Sequence, residues 1–400
     1  MGVLFRDVRV IDGVEDAARP HVDVVVDGEL IEAVGQHDAA RAIPPGTVVV
    51  DGRGRTLLPG LIDAHAHYTF DPTEGSLQAI ALRDDETILA AARRHAAMAL
   101  RAGVTSARGA GSMRNLGIVL RDEIAAGRTP GPRLVEAGTA VGSVGGHGSA
   151  FGLEGSGADG LAVITRRVID AGADVVKVVA SEAAMLTTTG HAPGVIVNGA
   201  PELTLDELRA VVGVARESGR RVMSHAQDSE SVRRSVDAGV TSIEHAWLAD
   251  EAAIERLAAS GAWLVPTLVV TDVNRTLPGL TPVQRERQDL IERTHRLSTE
   301  TAIRLGVPLA TGTDTGEVGV TPEMVWREIA LLHDHGAPPM MSIKAATSSG
   351  ARLLGIDAEV GTIEVRKVAD ILLVDGDPLV DLGVLARPVG VWQRGREVSA

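Results

Sequence analysis

The chain has 400 residues, 44% of them hydrophobic, enough to bury one barrel-sized domain with an accessory unit or two ordinary domains. A net charge of -14 at pH 7 with no Lys/Arg cluster argues against nucleic acid or an anionic membrane as partner and leaves a small-molecule substrate. Cysteine is absent, so disulfides, thiolate metal sites and a cysteine nucleophile are excluded together, and any metal must be held by His and carboxylate.

The N-terminus lacks a basic segment followed by an apolar stretch, and no run approaches the roughly 18 apolar residues of a membrane span, so a cytoplasmic location is expected. Up to Leu57 short runs alternate apolar and polar residues, and Asp12-Gly13, Asp27-Gly28 and Asp51-Gly52 separate them. Asp-Gly between alternating runs signals tight turns, which predicts a small antiparallel β unit. The stretches 361–363, 369–376 and 390–392 repeat the pattern near the C-terminus. Residues 1–57 and 358–400 are therefore expected to form one composite β-sandwich beside the central portion.

Between 58 and 357 short β-branched runs alternate with amphipathic helices. Candidate strands are 58–65, 103–108, 134–140, 173–180, 220–225, 241–245, 262–269 and 307–312. Helical segments at 85–102, 160–171, 204–218, 230–238, 251–260 and 290–305 lie between them. Eight such units predict an α/β chain with a (β/α)8 TIM barrel over 58–357. No Gly-x-Gly-x-x-Gly opens a helix after a strand, which removes the main support for a dinucleotide fold.

In such barrels the active site lies at the C-terminal strand ends. His65 and His67 end the first strand, His225 the fifth and His245 the sixth, and Asp314 follows the eighth. Residues two apart on a strand share a face, so His65 and His67 either present two imidazoles to one point or are ordinary polar residues opening a loop. Lys177 stands inside the fourth strand between Val175-Val176 and Val178-Val179. Burying its ammonium unpaired costs several kcal/mol. Compensation comes either from a carboxylate partner or from carboxylation by CO₂, giving a carbamate that can bridge two metal ions roughly 3.5–4 Å apart.

Taken together, the motifs running from Pro59 to His67, Lys177 in Val-Val-Lys-Val, Ser224-His225-Ala226, Glu244-His245, Gly312-Thr313-Asp314-Thr315-Gly316 and the tail from Gly361 to Ile371 resemble the metal-dependent amidohydrolase superfamily. The resemblance spans essentially the whole chain. It implies two divalent metal ions, most often zinc, although His and carboxylate ligation suits manganese, cobalt or iron as well. His65, His67 and Asp314 would hold the more buried ion and His225 and His245 the more exposed one. Lys177, as N6-carboxylysine, would bridge both together with a hydroxide. Asp314 would then take the proton of that nucleophile and pass it to the leaving group.

Within the superfamily the chain looks like the imidazolonepropionase-like and prolidase-like (Xaa-Pro dipeptidase-like) members, which cleave dipeptides or N-acyl amino acids. Val144-Gly145-Gly146-His147-Gly148 is similar to their glycine-rich loop, which assigns His147 to polarising the substrate carbonyl. Many of those peptidases carry Tyr two residues after the fifth-strand His, where this chain has Gln227. The resemblance leaves a deaminase, a cyclic amide or amidine hydrolase, and an esterase or lactonase as alternatives, as well as a silent binding member of the fold. The absence of a Glu shuttle after His225 and the presence of Lys177 weigh against deamination, and the intact ligands against silence. Tyr68 and Trp247 either wall the pocket or pack in the core, and Arg108 either anchors a substrate carboxylate or caps the barrel mouth. His191 is either a substrate contact or a solvated loop residue. A homo-oligomer is compatible with the sequence.

Overall fold

The computed structural model describes residues 2–40, 42–73, 77–183 and 199–399. The chain opens with β1 (Val3–Val10), β2 (Arg19–Asp27), β3 (Leu30–Gln36), β4 (Val48–Asp51) and β5 (Arg55–Pro59). Three parallel strands follow, β6 (Leu61–Ala66), β7 (Val104–Gly109) and β8 (Arg133–Glu136). Then come β9 (Ala140–Ser143), β10 (Gly152–Gly155), β11 (Val175–Val179), β12 (Arg221–Asp228), β13 (Ser242–Leu248) and β14 (Trp263–Val265). The last three are β15 (Ile371–Asp375), β16 (Gly390–Gln393) and β17 (Arg396–Glu397).

The two ends of the chain meet in one eight-stranded sheet, ordered β17-β16-β15-β5-β1-β2-β3 with β4 also on β1. They share one core, in which the Phe5 and Trp392 rings meet edge to face with centroids 4.7 Å apart. The sheet is mixed and not the simple antiparallel unit expected from its turns, because β4 and β5 both run parallel to β1. They pair with successive halves of that strand. Between them Gly52 passes so close to β1 that a Cβ there would lie 2.5 Å from Val8 Cβ. Asp51-Gly52 therefore marks a close approach and not a hairpin, whereas Asp27-Gly28 does turn β2 into antiparallel β3.

The central strands form two parallel sheets, β6-β7-β8 and β10-β9-β11-β12-β13-β14. The backbone of Asp174 donates to Glu136 O across 2.7 Å, linking the end of β8 to the approach to β11. Most of the expected helices are found, among them Asp85–Arg101, Gly157–Asp170, Leu205–Glu217, Ser229–Ala238 and Glu251–Ser260. Asp84, Thr204, Asp228 and Asp250 cap four of these by accepting from first-turn amides, which satisfies donors the helix leaves open. No helix among the described residues is long and apolar enough to cross a membrane.

Three expectations are corrected. The run 134–140 is not one strand, since it breaks at Gly138 with φ +62 into β8 and β9. The run 262–269 stops at Val265, and a helix begins at Leu268 after Pro266 and Thr267. The buried Glu328 carboxylate accepts from the amides of Leu268 and Val269 at 3.0 and 2.8 Å, so a distant acid fixes that helix start. The segment 307–312 makes only a bridge, Leu309 to Leu264, but its neighbourhood bonds on both sides. Leu264 N donates to Pro308 O at 2.9 Å, and Ala64 N to Thr311 O at 2.8 Å. Asp63 adds a tie from β6, accepting from Thr313 Oγ1 at 2.6 Å.

Asp370 joins the two parts of the fold. It is buried, and it accepts from Arg133 of β8 and from the amide of Arg394, both at 2.8 Å. Asp370→Ala leaves Arg133 without this partner and is expected to cost about 3 kcal/mol, read as a lower midpoint in urea unfolding. Glu136 ends β8 against Gly109 and Gly117, where a Cβ would lie 2.2 and 2.5 Å from its carboxylate. Burial pushes its pKa up to about 8, with Arg121 opposing and Asp174 reinforcing. Between its ordinary value of 4.5 and about 8 only the folded state holds the proton. Stability is therefore complete below that window and falls as pH rises through it, by about 1.4 kcal/mol per pH unit at most. Glu136→Gln is expected to flatten that pH dependence in denaturation curves.

Candidate metal centre

The backbone at the strand ends is unusual before any side chain is considered. His245, Ala246, Thr267 and Asp314 are non-glycine residues with φ of +76, +53, +57 and +60. Each such conformation costs about 1–3 kcal/mol and persists only where its surroundings over-determine it. Around Asp314 hydrogen bonding does so. The amide of Asp314 donates to His65 O at 2.8 Å, and that of Thr315 donates to Thr313 Oγ1 at 3.1 Å.

Side chains from four strands and from the segment after residue 312 converge on Asp314. His65 Nε2 and His67 Nε2 lie 3.2 and 3.3 Å from Asp314 Oδ1. His245 Nδ1 lies 3.8 Å from Asp314 Oδ2, and ligand-capable atoms of His65, His245 and Asp314 fall within 4.8 Å of one another. Lys177 Nζ stands 3.3 Å from His65 Nε2. The His225 ring is 4.5 Å from that of His245, and His225 Nε2 is buried with no hydrogen-bond partner among the described residues.

Three of the rings are fixed through Nδ1. His65 Nδ1 donates to Glu244 at 2.7 Å and His67 Nδ1 to Gly111 O at 2.9 Å. His245 Nδ1 sits 2.8 Å from Thr267 Oγ1, whose own hydrogen goes to Pro266 O. Outer partners of this kind set the tautomer and leave the opposite nitrogen free for a metal. The electrostatics agree. Burial pushes His67 below its ordinary pKa and His225 and His245 well below it, outweighing the opposing pull of Asp314, and so favours the neutral imidazoles. Burial works to raise the Asp314 pKa, but His65, His67 and His245 outweigh it and keep the carboxyl ionised. Neutral imidazoles, an ionised carboxylate and an unpartnered buried nitrogen make a donor set that fits divalent metal.

Lys177 is 2% exposed, and no carboxylate lies within ion-pair distance of it among the described residues. Burial draws its pKa down to about 8, against the pull of Glu244 and Asp314. Beneath it Arg108 donates to both Glu244 oxygens at 2.9 and 3.0 Å, to Ala64 O at 2.7 Å and to Ser242 Oγ at 3.0 Å. Burial would raise the Glu244 pKa, but Arg108 and then His65 overcome it and hold it at about 2.

The cavity above is small and opens to solvent. His147, Gln227 and Trp247 line it, as do Phe70, Phe151 and Glu317. His147 stands with its ring 4.9 Å from that of His225, and Phe70 stacks on His67 at 4.3 Å. Gln227 is buried, and its backbone N–H donates to Ser181 Oγ at 3.1 Å. Trp247 donates to Pro266 O at 3.2 Å.

Two candidates are placed elsewhere. Tyr68 packs into the core with Ala92 and Ala96, and Phe70 takes the wall. Arg108 lies under the site with its donors committed, so neither a substrate carboxylate nor the mouth is its partner. His191 lies outside the described residues. The partners of these groups were missed: Glu244 below His65, Thr267 behind His245, and the cavity walls Phe70, Phe151 and Glu317. A buried Glu and a buried Arg on separate apolar strands was the signal available for the first. Arg108→Ala strands the Glu244 charge in the interior and is expected to cost about 3–5 kcal/mol, measured by urea unfolding at neutral pH.

Residues 56–398 match the amidohydrolase family. Ochratoxinase of Aspergillus niger is 27% identical over 372 residues, covering 85% of this chain and 75% of that protein. Imidazolonepropionase of Symbiobacterium thermophilum is 25% identical over 408 residues, covering 93% and 86%. The crystal structure of a Xaa-Pro dipeptidase with methionine bound in its active site superimposes with a TM-score of 0.87 at 26% identity, covering 99% of each chain. The chain belongs to the amidohydrolase family, on its imidazolonepropionase-like and prolidase-like branch, and is a hydrolase acting on carbon–nitrogen bonds.

Proposed function

We propose that this chain is a binuclear metallohydrolase that cleaves the amide bond of a small, peptide-like or N-acyl amino-acid substrate. The observation that carries the reading is the convergence of four histidines and Lys177 on one ionised, buried carboxylate. The proposal takes the central strands as a closed (β/α)8 barrel and the two chain ends as its β-sandwich. His65, His67 and Asp314 would hold the more buried ion, His225 and His245 the more exposed one, and carboxylated Lys177 both. A lysine drawn down to about 8 is partly unprotonated at neutral pH and able to add CO₂. When bound, such a metal pair supplies acidity to a water and polarises a carbonyl.

The residues divide the remaining work. Asp314 accepts the proton of the attacking water as its oxygen bonds to the carbonyl carbon, and gives that proton to the departing nitrogen as the carbon–nitrogen bond breaks. His147, across the cavity from His225, donates to the carbonyl oxygen as charge develops there. Glu244 and Arg108 hold the His65 ring in place. Phe70 and Phe151, 5.2 Å apart, give the substrate an apolar wall. Gln227 offers hydrogen bonds where the peptidase pattern has a phenol. Asp228 caps the following helix through Oδ1, accepting from Glu230 and Ser231 amides at 2.9 and 3.1 Å, which ties this acid to the scaffold.

Protein purified with bicarbonate is expected to carry about two metals per chain, and chelation to abolish turnover reversibly. Lys177→Ala is expected to lose both metal and activity, and a fully active variant would overturn the bridging role. A panel of dipeptides, N-acyl amino acids, matched esters, and cyclic amides or amidines decides the substrate. Turnover confined to the cyclic compounds would sink the peptidase reading.

A further inference from the structure

The proposed role of His147 needs a rigid mount, yet its loop begins Val144-Gly145-Gly146, with Gly145 at φ +69. Two adjacent glycines give a backbone more freedom than any other pair. Something outside the loop must hold it. Glu202, more than fifty residues on, supplies the contact. Its Oε1 accepts from the backbone N–H of His147 at 2.7 Å, and its Oε2 accepts from Ser143 Oγ at 2.9 Å. One carboxylate thus grips the loop on both sides of the glycines.

Glu202 is itself anchored to the metal-site strands. Its amide donates to Ala180 O at 2.8 Å, and the amide of Ala180 donates to His225 O at 2.9 Å. A chain of hydrogen bonds therefore runs from the backbone of His225 to that of His147, whose rings face each other 4.9 Å apart. The grip also explains the second glycine. A Cβ on Gly146 would fall 2.1 Å from Glu202 Oε2 and 2.3 Å from Ser143 Oγ, so only glycine lets the carboxylate reach both donors.

We propose that Glu202 is the positioning residue for His147, fixing the glycine loop to the end of β11 so that the imidazole meets the substrate carbonyl in register with the metal site. The inference rests on the proposed role of His147 and adds the device that makes it effective. Glu202 is not among the residues that line the cavity. Its loss acts on geometry, where a displacement of about 1 Å can cost on the order of 100-fold in rate.

The test is a double-mutant cycle on the holoenzyme with an amide it turns over. Glu202→Ala is expected to lower kcat by about 10–100-fold, with KM, metal content and melting temperature near those of the wild type. Glu202→Gln keeps an acceptor for the His147 amide and a partner for Ser143, and is expected to restore most of the rate. In a His147→Ala background Glu202→Ala is expected to add nothing, because the two act as one unit. Full activity of Glu202→Ala beside an impaired His147→Ala overturns the proposal, as do additive losses or loss of metal in Glu202→Ala. Full activity of His147→Ala overturns the reading of His147 instead. Hydrogen exchange at the His147 amide then decides the positioning alone, being faster in Glu202→Ala if Glu202 holds the loop and unchanged if it does not.

Discussion

Arg108 and Glu244 bury a full positive and a full negative charge beneath the strand ends, and the site above depends on that pair. Two apolar residues of similar volume would often be as stable there. What they could not supply is an acceptor for His65 Nδ1, which Glu244 meets at 2.7 Å. With that nitrogen committed, Nε2 must face Asp314 and Lys177. The guanidinium in turn keeps Glu244 ionised despite its burial, so the acceptor persists across the working pH range. The ion pair is thus best understood as an orienting device whose energetic return lies in the geometry above it.

The same economy recurs around the centre. His67 is fixed by a carbonyl at Gly111, His245 by the hydroxyl of Thr267, and the loop carrying His147 by the carboxylate of Glu202. The rings of His65, His67 and His245 each have one nitrogen tied to the scaffold, while at His147 the backbone is what is held. The strained backbone at His245, Ala246, Thr267 and Asp314 belongs to this arrangement, since regular strand geometry would send neighbouring side chains to opposite faces. Rigid parallel strands absorb the cost.

Local patterns in the sequence carried much of this architecture. The alternation of β-branched runs with amphipathic stretches marked the central strands and helices, and strand periodicity put His65 and His67 on one face. A lysine among four valines announced its own peculiarity. What stayed hidden depends on contacts distant in the chain. The helix at Leu268 replaces the end of an apparent strand because Glu328, 60 residues away, satisfies its first amides. Arg108, which the sequence offers as a substrate-carboxylate anchor or a cap on the barrel mouth, is claimed instead by Glu244, 136 residues on. Phe70 could not be told from Tyr68 as the wall, since the strand ends at Ala66 and alternation gives little guidance beyond it.

On this reading six residues, from four strands and the segment after residue 312, make one binuclear site bridged by a modified Lys177. A crystal structure of the metal-loaded enzyme with anomalous data at the metal edge tests it most directly. The account expects two anomalous peaks, one among His65, His67 and Asp314 and one between His225 and His245, with density for a carboxylate on Lys177 Nζ reaching both. A single peak, or a bare lysine ammonium beside two, would contradict it.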